Sequence, residues 1–281
     1  MPWSLTDDVE IFAARAWDLL ARSPAEQTIA LSIVEALRGG YRWSGTPPLF
    51  ASFSDGGPVR GAACMTPPFE LVLTAVPGDA VAELVAALRA AEVDLPGVNG
   101  DVATVAAFAE AWTAGRQLRA TTLFRQRLYA LDALRPPQPP PPGRARPGAE
   151  GDLETAARWH SAFEAEAGVH RTDSERWARD RIGDGRVWLW EDDSGSAVSM
   201  AARTAPAAGV ARVAPVYTSP EHRRHGYGAA VTAACTADAL DRGIGDIVLF
   251  TDLANPTSNA IYQRIGYQPV SDRHVVRFEL S

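Results

Sequence analysis

An α+β fold in which one helix-and-strand unit is used twice is what the sequence predicts. Three observations carry that expectation. The order of helical and strand-like patterns before residue 135 recurs after residue 145, and a run of prolines separates the two series. The composition, 46% hydrophobic and 22% charged over 281 residues, suits one large domain or two smaller ones and excludes disordered, collagen-like and coiled-coil chains.

In the first series Val9, Phe12, Ala13, Ala16 and Leu20 recur at helical spacing, and a second helical pattern over 24–38 ends at Gly39-Gly40. Strand-like stretches near 48–54 and 59–76 follow, then an alanine-rich helix at 79–92, a helix at 102–113 and an alternating strand at 118–131. The second series gives helices near 153–167 and 173–182 and strands at 186–191, 197–204 and 210–218. It continues with a helix at 226–242, a strand at 246–252, a short helix at 256–265 and a closing strand at 273–280. Between them Arg135 to Gly143 holds too many prolines for a helix or a central strand, so an extended spacer of about 3 Å per residue is expected. The expected organisation is a lobe over 1–135, a linker over 136–144 and a lobe over 145–281.

Net charge is −7, and all 27 basic residues are arginine, which argues against a general nucleic-acid footprint. The start MPWSLTDDVE lacks a basic stretch leading into an apolar one, and nothing approaches the roughly 20 apolar residues of a membrane span. A soluble cytoplasmic protein, monomeric or homodimeric, with no membrane or nucleic-acid partner is expected. Cys64 and Cys235 stand far apart in apolar surroundings and read as core residues. His160 and Glu164, four apart on a helix, read as a surface ion pair with His170 in the loop beyond, and no metal is expected. Trp159, Trp177, Trp188 and Trp190 read as core or interface anchors, one or two of them able to shape a pocket.

The two series differ in one loop. The strand Glu70–Thr74 runs through Pro77-Gly78 into a helix that Asp79 would cap, where its charge would repel phosphate. Ala214–Thr218 is followed instead by Ser219-Pro220-Glu221-His222-Arg223-Arg224-His225-Gly226-Tyr227-Gly228. A strand, a glycine-bearing loop and a helix start together form an anion site, because free N–H groups and the positive helix end converge there. A P-loop needs a lysine, which this chain lacks, and the dinucleotide fingerprint needs Gly or Ala where Val231 stands.

The segment does match the loop [Arg/Gln]-x-x-Gly-x-[Gly/Ala], with Arg223, Gly226 and Gly228 in the fixed places. Val216–Glu221 before it and Asn255–Tyr267 after it, with an Asn seven residues before a Tyr and then Gly-aromatic, complete a resemblance to the GNAT acyltransferase superfamily. The resemblance covers 145–281, with the first half as a degenerate copy, and is similar to the tandem GNAT arrangement. It implies a three-layer α/β/α fold, each lobe a mixed, mostly antiparallel sheet flanked by helices. It also implies transfer of acetyl from acetyl-CoA to an amine, expected to be a small molecule, at one site in the second lobe.

By the same resemblance the pyrophosphate lies on Arg224, His225, Gly226, Tyr227, Gly228 and Ala229, and the pantetheine arm pairs with Val216, Tyr217 and Thr218. Asn255 would bond that arm, and Tyr262 would protonate the leaving thiolate. Asn255 has a second reading as a helix cap before Pro256. The Glu that some relatives carry five residues before the Asn is Phe250 here, which leaves Glu191, Glu164, Glu166, Asp252 or water as the general base. A non-catalytic acyl-CoA-binding or regulatory protein is the alternative.

Overall fold

The repeat in the sequence is a repeat in the fold. The computed structural model describes residues 2–281, so Met1 of the expected first lobe lies outside the described residues. The first series is β1 (Trp3–Thr6), α1 (Val9–Ala21), α2 (Thr28–Arg38), β2 (Leu49–Phe53), β3 (Gly61–Met65), β4 (Leu71–Leu73), α3 (Gly78–Ala90), β5 (Gly97–Asp101), α4 (Val102–Thr113) and β6 (Leu118–Leu131). The second is β7 (Arg144–Pro147), α5 (Leu153–Ala167), α6 (Ser174–Gly183), β8 (Val187–Glu191), β9 (Ala197–Arg203), β10 (Val210–Thr218), α7 (Tyr227–Asp241), β11 (Asp246–Asp252), α8 (Pro256–Arg264) and β12 (Tyr267–Leu280). Each reads strand, two helices, three strands, helix, strand, helix, strand.

Two compact units result: Met1–Leu128 with Asp252–Ala254 and Val270–Ser281, and Tyr129–Thr251 with Asn255–Pro269. In the first, the sheet order is β1-β2-β3-β4-β5-β12-β6, with β1 to β4 antiparallel in turn, β4 parallel to β5, and β5 antiparallel to β12. The closing strand enters this sheet through the register Arg273↔Asp101 to Arg277↔Gly97. Alternation along β2 explains the three layers. Phe50 stacks on Phe12 of α1 at 4.6 Å, while Ala51 and Phe53 face the core shared with α3 and α4.

In the second unit β7, β8, β9 and β10 run antiparallel and β10 meets β11 in parallel. Along β8, Val187 and Leu189 pack with Trp159 and Trp177 of α5 and α6, whereas Trp190, with Trp188 partly buried beside it, packs with Val231 and Cys235 of α7. Among the described residues no helix is long and apolar enough to cross a membrane.

The fold departs from the sequence expectation at the proline run. The units do not divide at residue 135: Tyr129 at the end of β6 is 1% exposed in the second unit's core, and its hydroxyl donates to Asn259 Oδ1 at 2.8 Å. Losing a buried aromatic side chain costs about 3–5 kcal/mol. Removing residues 1–135 is therefore expected to leave an insoluble chain. Circular dichroism of a soluble 136–281 fragment with a cooperative melt like the whole protein's would contradict this.

Candidate functional site

Strand β10 is built to leave β11. The parallel ladder between them covers Val210–Arg212 and Asp246–Val248, and among the described residues no pair continues it. On the other edge β10 shifts register against β9 between Val213 and Val216, around Pro215, which has no N–H to give a ladder. It then pairs Val216, Tyr217 and Thr218 with Ala201, Met200 and Ser199. Ser199 fixes this end, its hydroxyl donating to Tyr217 O at 3.0 Å and lying 2.8 Å from Thr218 Oγ1. The β11-facing edge of residues 213–218 thus lacks a ladder partner.

The loop after β10 turns into α7 through two left-handed residues, Arg224 at φ +67° and Gly226 at φ +85°. Gly226 is the N-cap and carries no capping side chain. The first N–H to bond back into the helix is that of Ala230, to Gly226 O at 3.1 Å, so those of Tyr227, Gly228 and Ala229 have no intrahelical acceptor. A β-carbon on Gly228 would stand 3.3 Å from Thr218 Oγ1, so glycine keeps strand end and helix start close. The Tyr227 ring is buried in the α7 core and stacks on His225.

Arg224 and His225 are exposed, but Arg223 is not the free positive charge that the sequence suggests. Its guanidinium pairs with both Glu166 oxygens at 2.9 and 2.7 Å and donates to Thr218 O at 3.1 Å. Tyr217 OH also donates to Glu166, at 3.1 Å, and burial together with that carboxylate pushes the tyrosine pKa up.

Asn255 takes the capping place that was its second reading, its side chain accepting from Ser258 N at 3.0 Å. Seven residues on, Tyr262 packs half-buried against the α7 core, edge-on to Tyr267 at 6.3 Å. Burial pushes its hydroxyl up to about 12, so the proton stays on at neutral pH.

The carboxylates proposed as base are all engaged. Glu191 pairs with Arg146 and Arg144, which hold it below the usual carboxylate range. Glu164 accepts from Thr172 N and Oγ1 at 3.1 and 2.7 Å, Glu166 holds Arg223, and Asp252 accepts from Ala254 N at 2.8 Å. The expected surface pair of His160 and Glu164 is instead buried. The imidazole stacks on Trp177 at 4.1 Å, with Nδ1 2.9 Å from Ser174 Oγ, and burial with nearby Arg181 pulls its pKa down to about 4. Neutral at pH 7, it ties α5 to α6.

In the first unit a β-carbon on Gly100 of β5 would meet Leu73 O of β4 at 3.2 Å, so glycine lets the two strands approach closely at this point. Asp79 does not cap α3 as expected, because the helix already starts at Gly78 after Pro77. Its carboxylate lies in the first turn and takes the Ala80 N–H at 3.1 Å, which Pro77 O also accepts at 2.9 Å.

Comparison with known proteins bears on the family and the fold. Residues 154–267 match the Acetyltransferase (GNAT) family. Among solved structures, the chain is similar to a GCN5-related N-acetyltransferase from Sphaerobacter thermophilus (TM-score 0.63, 19% identity, 99% of this chain and 95% of that one). It is also similar to a tandem GNAT protein from the clavulanic acid biosynthesis pathway (TM-score 0.61, 16% identity, 99% and 98%). A GCN5-related N-acetyltransferase from Kribbella flavida gives TM-score 0.57 at 23% identity over 77% of this chain and 86% of that one. No curated protein matches the sequence. The family match thus covers the stretch from α5 to the start of β12, and the fold is similar to that of a tandem GNAT protein.

Proposed function

We propose that the second unit transfers acetyl from acetyl-CoA to an amine, the acceptor being a small molecule, and that the first unit carries no second site. The observation that carries this reading is the uncapped start of α7, with free N–H groups at Tyr227, Gly228 and Ala229 beside the unpaired edge of β10. Such amides bind phosphate oxygens through hydrogen bonds and the helix dipole. Arg224 adds charge and His225 a polar ring at the mouth, while Arg223 shapes the loop through Glu166.

Acetyl-CoA supplies an activated acyl group. Successive N–H groups along a strand point to opposite edges, and Ser219 N–H meets Val198 O of β9. Val216 and Thr218 are therefore the residues whose N–H groups lie on the open edge, where donors to a developing oxyanion are typically worth about 10² to 10³ in rate. The acceptor nitrogen forms the new bond to the acyl carbon as the carbon–sulfur bond breaks, Tyr262 gives its proton to the departing sulfur, and the proton that the nitrogen sheds passes through water to restore the tyrosine. Asn255, its Oδ1 used by Ser258, keeps its Nδ2 for the pantetheine arm.

A second reading rests on the engaged carboxylates and on Phe250. With Glu191, Glu164, Glu166 and Asp252 each committed elsewhere, the unit would bind acyl-CoA without turning it over. Thiol release from acetyl-CoA with a panel of primary amines separates the two. Amine-dependent release supports transfer, and binding without release across the panel supports the second reading.

A further inference from the structure

The proline segment before β7 is anchored at both ends within the second unit. Asp132 N–H donates to Gly266 O and Arg135 N–H to Ile265 O, both at 3.0 Å, which ties its start to the end of α8, the helix that carries Tyr262. At its far end Trp190 Nε1 donates to Pro142 O at 2.9 Å. Gly143, at φ +99°, passes so close to β8 that a β-carbon would meet Glu191 O at 1.9 Å.

Between these anchors five of the six residues 136–141 are proline. Pro137 and Pro141 are half-buried, whereas a simple spacer would be exposed throughout. Pro141 stands over the phosphate loop: a β-carbon on Gly226 would lie 3.8 Å from its Cβ and 4.0 Å from its Cγ. Fixed φ angles and restricted preceding residues hold such a chain in place by stiffness rather than by hydrogen bonds.

We propose that this segment is a wall of the acyl-CoA site, with the Pro141 ring against the adenosine-phosphate end of the ligand. The inference rests on the acyl-CoA reading of the α7 loop. Residues 136–143 contain no carboxylate in a chain of net charge −7, so the wall sets no like charge beside a phosphate. Its apolar rings also keep water from one side of the α7 amides, which strengthens their bonds to an anion.

Calorimetry on the full chain tests it, with CoA and 4′-phosphopantetheine as ligands and wild type compared with Pro141→Gly and Pro141→Ala. Both variants are expected to weaken CoA binding about fivefold or more through lost preorganisation. Affinity for 4′-phosphopantetheine, which keeps the thiol arm and one phosphate but lacks the adenosine bisphosphate, is expected to stay unchanged, as is the melting temperature. If the wild type binds neither ligand, the acyl-CoA reading itself falls and the wall with it. If the wild type binds CoA and a folded variant binds it equally well, or loses both ligands in equal measure, the wall alone is overturned. The alanine variant, which keeps a more restricted backbone, carries the test should the glycine variant fail to fold.

Discussion

Replacing Gly226 with valine is expected to weaken acetyl-CoA binding by about tenfold or more while leaving the fold intact. The position sits at φ +85°, where an ordinary L-residue pays about 1–2 kcal/mol and a β-branched one more. The new side chain would also grow toward Pro141, whose Cβ is 3.8 Å from the first added carbon. Relief comes by rotating the turn, and that swings the N–H groups of Tyr227 and Gly228 away from a shared anion. Because Gly226 is exposed and outside the α7 core, the melt should fall only by the several degrees that this backbone cost implies. Calorimetric titration of the variant, with circular dichroism as the folding control, checks this. Wild-type affinity in a folded Gly226→Val protein would mean that the loop binds nothing.

Tyr262→Phe is expected to separate turnover from binding. The hydroxyl is the only group lost, the ring remains packed against the α7 core, and the cofactor loop lies elsewhere in the chain. General-acid assistance is typically worth about 10² to 10⁴, so kcat should fall by at least about tenfold with the Kd for acetyl-CoA nearly unchanged. Since burial holds the hydroxyl up at about 12, the wild-type rate should show no loss of this acid between pH 7 and pH 9. Equal kcat in the variant would remove Tyr262 from the chemistry. A matching fall in affinity would make it a packing residue.

What the sequence makes legible follows physical period. Helices such as α4 and long strands such as β6, β10 and β11 fall at the expected residues because their apolar repeat is long enough to read. β1 and β7 are missed, each four residues long at a sheet edge, and β7 reads Arg-Ala-Arg-Pro with no apolar alternation. The loop from Arg223 to Gly228 is legible because glycine and helix-start chemistry are local. The Glu166 clamp on Arg223 is not, since its partners lie 57 residues apart. The proline run is legible as a break in secondary structure, but nothing in its composition says that Pro141 meets Gly226. Exchange of strand ends is equally silent, because Tyr129 is one more alternating residue until the fold places it under α8.

The central claim is a single acyl-CoA site, at the start of α7. Calorimetric titration of the full-length protein with acetyl-CoA, using CoA for comparison, tests it most directly because it returns stoichiometry as well as affinity. Saturable micromolar binding of one ligand per chain is the predicted result. Two ligands per chain, or none, would contradict it.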